Sequence, residues 1–309
     1  MRLIADHVSV SVPGSAGNLG PGFDALGMAL GVRDEIEVRA VGADDVVVEV
    51  EGEGAGTVPT DGSHLFIKAF REALSRVGAP ECGVHLTAKN AIPHGQGLGS
   101  SAATVVAAIT AARAMIAEPE ALDIDTTLTI ATAFEGHPDN AAPAIHGGAT
   151  VCWQDSEGAH AVPIDVSDEI ETAVVIPHGV LPTATARAVL PAQVPHPDAA
   201  FNVSRAALLV HALAGDTEHL FAATEDKLHQ NYRADHMASA VAMMRHLRDQ
   251  GLAAVISGAG PSVLVLGTDL LSHDLGTGAL PWASGIGEDD WRCVRTVGRV
   301  PGATAKVVP

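Results

Sequence analysis

Polar and apolar residues alternate through His7-Val8-Ser9-Val10-Ser11-Val12, a period of two that predicts a half-buried strand stopped by Pro13-Gly14. Asp34 to Ala40 and Val46 to Val50 read as further strands, parted by the turn Gly42-Ala43-Asp44-Asp45. The period lengthens to that of a helix at Leu65, Ala69, Ala73 and Val77, and Gly78 ends it. Val84 to Thr87 returns to strand. Val105, Ile109, Ala112 and Ile116 then predict a long helix beginning near Gly99-Ser100-Ser101, followed by another from Asp125 to Phe134. A polar turn, Gly136-His137-Pro138-Asp139-Asn140, comes next. Strand-like runs follow at Ala149 to Trp153 and Thr172 to Ile176, helical stretches between Asp198 and Gly251, and two strands at Val255-Ile256 and Val263 to Leu266. The Gly-rich last forty residues carry no clear period. The Gly147-Gly148 pair and the change of pattern there predict domains at 1–150 and 151–309.

With 309 residues, 47% hydrophobic and 18% charged, the chain has apolar material for a sizeable core and is neither disordered nor fibrous. The net charge of −19 repels phosphate backbones and anionic lipid, so a nucleic-acid or membrane-surface module is not expected. Cys82, Cys152 and Cys293 are odd in number and far apart, which fits neither a disulfide framework nor a metal knuckle and points to a reducing cytoplasm. Asp6 and His7 interrupt the apolar stretch that a signal peptide needs. Ala102 to Ala117 is too short to span a bilayer and contains Arg113.

Three segments carry candidate chemistry. In Pro93-His94-Gly95-Gln96-Gly97-Leu98-Gly99-Ser100-Ser101-Ala102-Ala103 a glycine turn joins a strand to a helix. Glycines let backbone N–H groups approach an anion, and a helix start adds unpaired donors and the positive end of its dipole. The same composition also serves plain chain reversal. A Walker loop is excluded because Gly99-Ser100-Ser101 has no lysine, and a dinucleotide fingerprint because its third glycine falls one residue early. The second segment, Pro13-Gly14-Ser15-Ala16-Gly17-Asn18-Leu19-Gly20-Pro21-Gly22-Phe23-Asp24, is dense in turn residues around one Asn and one Asp, as in a rigid loop that holds two polar side chains. The third, Ser257-Gly258-Ala259-Gly260-Pro261-Ser262, is either a plain hairpin or a second backbone surface closing on a ligand.

Taken together in this order and spacing, the three segments resemble the GHMP kinase superfamily, and the second segment with Glu135-Gly136-His137-Pro138-Asp139-Asn140-Ala141-Ala142-Pro143 resembles its homoserine kinase branch. The resemblance runs from about residue 7 to 267. It implies an α+β, two-domain fold, with a ribosomal-protein-like N-terminal α/β domain and a ferredoxin-like C-terminal domain. It also implies ATP-dependent phosphorylation of the side-chain hydroxyl of L-homoserine, with Mg²⁺, and the family's habit implies a homodimer.

On the family's motifs, ATP falls to Pro93, His94, Gly95, Gln96, Gly97, Leu98, Gly99, Ser100, Ser101 and Ala102 with Gly258 and Gly260, and Mg²⁺ to Ser101 and Glu135. These metal ligands suit the chemistry, since Mg²⁺ prefers oxygen donors and keeps several waters. Asn18 and Asp24 match positions that face the amino and hydroxyl end of the acceptor, Arg187 and Arg233 those that grip its carboxylate, and Thr183, His137, Asp139 and Asn140 other parts of the pocket. Asn18, His137, Asn140 and Arg187 are the expected catalytic group. Whether Asp139 or the non-basic Asn140 takes the place of a base stays open at this point, because a loose phosphoryl transition state needs little early proton removal. Two departures stand out: Gly14 and Gly17 replace the family's alanines, which should loosen the first loop, and His64 replaces an asparagine near the adenine. The competing expectations are another small alcohol (mevalonate, shikimate or a sugar) on the same scaffold, or a non-catalytic ligand-binding protein.

Overall fold

A computed structural model describes residues 1–42, 44–270 and 291–309; Ala43 of the predicted turn and 271–290 of the final stretch lie outside these. The first strand, β1 (His7–Gly17), buries Val8, Val10 and Val12 on one face, as the alternation predicts. It does not stop at Pro13. The register against β2 (Leu26–Val41) shifts between Pro13 and Gly14, which accommodates a residue without an N–H, and pairing resumes to Gly17. β2 likewise starts well before Asp34.

β3 (Val46–Gly52) and β4 (Gly83–Asn90) pair in parallel, and every other strand pair is antiparallel among the described residues. Between them runs α1 (Leu65–Arg76), whose His64 side chain caps the amide of Phe66 and whose Phe66, Ile67, Phe70, Ala73 and Leu74 form one buried face. α2 (Ser100–Met115) is apolar nearly all round and lies buried against β1, α1 and α3 (Ile124–Glu135). Asp123 caps α3, and Gly136, in the left-handed region, ends it. The predicted polar turn leads into a short helix without a sequence signal of its own, α4 (Ala141–His146).

β5 (Ala149–Gln154) pairs with the Leu26–Met28 end of β2, and β6 (Ala159–Ile164) with β5. Then come β7 (Glu171–Ile176), α5 (Thr183–Ala188), α6 (His196–Leu213), α7 (Leu220–Ala223) and α8 (Ala238–Asp249), which precede β8 (Ala253–Ile256), β9 (Val263–Gly267), β10 (Arg292–Val297) and β11 (Thr304–Val307). The larger sheet has the path β11-β1-β2-β4-β3 with β5 and β6 branching from β2, and the smaller runs β10-β7-β9-β8. A boundary at 150 passes through β5. By sheet membership, residues 7–164 and 304–307 share one sheet, while 171–176, 253–267 and 292–297 share the other. The fold is α+β, with α8 covering the smaller sheet through Val241, Met244 and Leu247, together with Met237 just before it. Among the described residues, no helix is long and apolar enough to cross a membrane.

Candidate functional site

The glycine segment leaves β4 under the hold of Asp34, whose Oδ1 accepts the amides of Ala91 at 2.7 Å and Ile92 at 2.9 Å. It reaches α2 at Gly99, whose φ of 68° is left-handed and whose Cβ, were there one, would lie 2.1 Å from Ser15 Oγ. The first-turn amides of α2 have no intrahelical acceptor, and Gly99 has no side chain to cap them. The third loop closes over the segment. Ser257 Oγ donates to the Gly97 carbonyl at 2.7 Å, and a Cβ on Gly97 would sit 2.2 Å from the Ser257 carbonyl oxygen. The same loop holds the first one, with the Gly258 amide on the Gly17 carbonyl at 3.1 Å and Asn18 Nδ2 on the Gly258 carbonyl at 2.8 Å. The three sequence segments therefore meet.

Where they meet is a cavity of about 260 Å³ lined by Pro93, Gly95, Gly97, Leu98, Gly99, Ser100 and Ser101, and also by Asn18, Glu135, His137, Asn140, Thr183, Arg187, Arg233 and Gly258. A second cavity, about 250 Å³ and more apolar, shares Gly95, Ser100 and Ser101 with it and extends past His94, His64, Phe66 and Leu86. Burial pulls both His64 and His94 below the usual histidine pKa, so both rings are neutral near pH 7. His64 Nδ1 is occupied by its helix cap, and His94 Nε2 is buried with no protein partner among the described residues.

Some predicted residues stand behind the cavities instead of lining them. Gln96 donates to the Pro177 carbonyl at 2.8 Å and pins the glycine segment to the end of β7. Ala102 is wholly buried, and Gly260 backs Gly97. Asp139 is fully buried: Oδ1 pairs with His137 Nδ1 at 2.5 Å and Asn140 Nδ2 at 3.3 Å, and Oδ2 accepts the Asn18 amide at 3.0 Å. Gly17 leaves room for that carboxylate, since a Cβ there would lie 2.3 Å from Asp139 Oδ2. In this arrangement, glycine at 17 serves close approach, not a looser loop.

The polar wall divides into two groups. Ser101 Oγ donates to Glu135 Oε1 at 2.5 Å, and burial raises the Glu135 pKa although that hydrogen bond opposes it. On the other side, Arg187 from α5 grips Asp24 with Nη2 at 2.5 Å and Nη1 at 3.2 Å. Burial works against a charged His137, but the hydrogen bond and charge of Asp139 outweigh it and raise its pKa. Asp24, His137 and Asp139 bring three potential ligand atoms within 4.8 Å of one another. With Arg187 on Asp24 and two further donors on Asp139, that trio is already balanced by protein groups and is a poor cation site.

Arg233 lies buried at the cavity wall, and desolvation lowers its pKa to about 10. Sequence reasoning missed Asp34, Ser15, whose Oγ donates to Asn140 Oδ1 at 3.1 Å, and His229, whose Nδ1 lies 3.1 Å from Arg233 Nη1.

A profile of the GHMP kinases N terminal domain matches residues 64–148. The homoserine kinase of Clavibacter michiganensis subsp. michiganensis is 47% identical over 263 residues, 85% of this chain and 83% of that protein. That of Streptomyces coelicolor is 48% identical over 263 residues, 85% of each. The crystal structure of homoserine kinase from Cytophaga hutchinsonii is similar with a TM-score of 0.79 at 23% identity, covering 98% of both chains. L. major mevalonate kinase in complex with R-mevalonate is similar with a TM-score of 0.63 at 16% identity, covering 92% of this chain and 94% of that one. The two structural likenesses establish the two-domain GHMP kinase fold, and the sequence relatives establish the branch. The chain belongs to the homoserine kinase family of the GHMP kinases.

Proposed function

We propose that this protein transfers the γ-phosphoryl group of ATP to the side-chain hydroxyl of L-homoserine, giving O-phospho-L-homoserine and ADP in threonine biosynthesis, in the cytoplasm. The observation that carries the reading is that one cavity joins the glycine segment to Arg187, Thr183, Asn18 and Arg233. An anion cradle and a set of groups suited to a small zwitterion thus face the same space.

The triphosphate lies along Pro93 to Ala102, with Gly258 closing from the other side and Gly260 and Gln96 fixing the shape of the cradle. The apolar second cavity, with neutral His64 and His94, takes the base. Half-buried Glu135 and exposed Ser101, within hydrogen-bond distance of each other at the cavity wall, make an oxygen donor pair that fits Mg²⁺. When bound, the metal supplies positive charge against the phosphate oxygens. Asp24 meets the ammonium of homoserine, Arg187 and Arg233 its carboxylate, and Thr183, His137 and Asn140 orient the hydroxyl.

The hydroxyl oxygen forms the new bond to the γ-phosphorus as the bond to the β,γ-bridging oxygen breaks, and the hydroxyl proton passes to the transferred phosphoryl group. No dedicated base is required, because catalysis here is chiefly positioning and charge neutralisation. Asp139 is committed on both oxygens and walled from the cavity, which supports a role as the anchor of Asn18, His137 and Asn140.

ADP release measured with L-homoserine, mevalonate, shikimate and a sugar as alternative acceptors tests the reading. It expects turnover with homoserine at least about a hundredfold above the others, since a site built for polar groups strongly rejects ligands lacking them. Preferred turnover of another alcohol, or none at all, would overturn it. Light scattering of the purified chain tests the family's dimer.

A further inference from the structure

His229 is completely buried and none of the catalytic roles above uses it. Its Nε2 lies 2.7 Å from the carbonyl oxygen of Gly20 in the first loop. A carbonyl only accepts, so Nε2 carries the hydrogen, and in a neutral ring Nδ1 is then an acceptor. Arg233 Nη1 stands 3.1 Å from Nδ1. Asp226 is 3.7 Å from Nε2, beyond hydrogen-bond length, and its carboxylate instead receives the amides of Leu228, His229 and Gln230, which fixes the turn bearing the ring. Burial, followed by the charge of Arg233, favours the neutral ring, against the opposing pull of Asp226. A protonated ring would set Nδ1–H against the guanidinium.

Arg233 is held from three directions. Nε donates to the Ala186 carbonyl at 3.0 Å, and Nη1 is shared between His229 Nδ1 and the Gly258 carbonyl at 3.3 Å. Among the described residues, no protein acceptor is recorded for Nη2, while Arg233 lines the cavity. The Phe23 ring lies against His229, 5.3 Å between centroids, and 5.8 Å from the guanidinium carbon of Arg233. The side chain is thus oriented by neighbours that leave one end of its fork for a ligand.

We infer that His229 is a positioning residue: a neutral ring pinned by the Gly20 carbonyl, it aims Arg233 at the carboxylate of the acceptor and ties that aim to the first glycine loop. This rests on the reading of Arg233 as a carboxylate-binding group, and the test separates the two.

The experiment measures binding of L-homoserine and of 2-amino-1,4-butanediol, which lacks the carboxylate, to the wild-type protein and to Arg233→Met, His229→Ala, His229→Asn and His229→Gln, with the KM for ATP alongside. Asparagine keeps an acceptor near the place of Nδ1, whereas glutamine keeps only a donor toward Gly20. His229→Ala and His229→Gln are expected to weaken homoserine about ten- to hundredfold, the range for a lost hydrogen bond to a charged group. The diol and ATP should change less than threefold, and His229→Asn should recover most of the loss. The inference is overturned if the diol weakens as much as homoserine, if homoserine is unaffected, or if Asn and Gln behave alike. Should His229→Ala not fold, the Asn and Gln pair decides. If Arg233→Met fails to distinguish homoserine from the diol, it is the reading of Arg233 that fails.

Discussion

Arg187 holds Asp24 by both ends of its guanidinium, at 2.5 and 3.2 Å, so the two groups proposed to meet the opposite charges of the acceptor neutralise each other before it arrives. A zwitterion replaces both halves of that pair at once. A ligand with a single charge leaves one partner uncompensated.

The consequence is a gain of binding in a variant that should lose activity. Asp24→Asn is expected to weaken L-homoserine while binding 4-hydroxybutyrate, which has no ammonium, a few-fold more tightly than the wild type does. The gain is small because the pair is about one-third exposed, and such pairs contribute roughly 0.2–1 kcal/mol. Calorimetric titration with both ligands checks this, and weaker binding of 4-hydroxybutyrate to the variant would refute it.

A second prediction concerns Glu135. Burial raises its pKa, so its charge is disfavoured in the folded protein unless a cation is present. Glu135→Gln keeps the shape and removes the charge. It should leave the melting temperature at pH 8 unchanged or higher, while kcat falls on the order of 10²-fold and the Mg²⁺ needed for half-maximal rate rises. A variant that melts earlier and needs no more metal would show Glu135 to be a structural partner of Ser101.

The site was legible where chemistry is encoded locally. Glycines at 95, 97 and 99 announce a backbone that must turn left-handed and come close to something, and the helix after Gly99 follows from its apolar period. Pairings across long stretches of chain were not legible: Arg187 to Asp24 spans 163 positions, His229 to Gly20 spans 209, and nothing near any of these residues signals its partner. β6 carries Pro163 and, among the described residues, pairs only with β5, and β11 is four residues long with its partner at the other end of the chain, so neither shows a strong period. β1 outran its prediction because a register shift absorbed Pro13.

Gly27 gives a sharp steric test. It faces the loop that carries Asp139, and a Cβ there would lie 1.8 Å from the Asp139 carbonyl oxygen, a backbone atom that cannot swing aside. Gly27→Ala should therefore destabilise by several kcal/mol, roughly 3–5, or prevent folding. Gly136→Ala meets open space and pays only for its φ of 85°, about 1 kcal/mol. Urea denaturation of the two variants side by side separates them, and equal losses would contradict the packing described around Asp139.

Asp34 supplies the pH test, with its sign set by burial. Desolvation raises its pKa from 3.8 to about 6, although the amides of Ile92 and Ala91 pull the other way. Between those values the folded protein binds a proton that the unfolded chain does not, so this group destabilises progressively as pH rises through the window, and the penalty is constant above it. Its size is on the order of 2–3 kcal/mol. Asp34→Asn cannot ionise and can still accept both amides through Oδ1. It should be more stable than the wild type at pH 8, with the advantage shrinking toward zero as pH falls to about 4, measured as the difference in unfolding free energy at the two ends. Asp34→Ala removes the acceptor as well, frees the start of the glycine segment, and should raise the KM for ATP where Asp34→Asn does not. A wild type more stable than Asp34→Asn at pH 8 would mean that the charged carboxylate gains more from those two amides than it loses to desolvation.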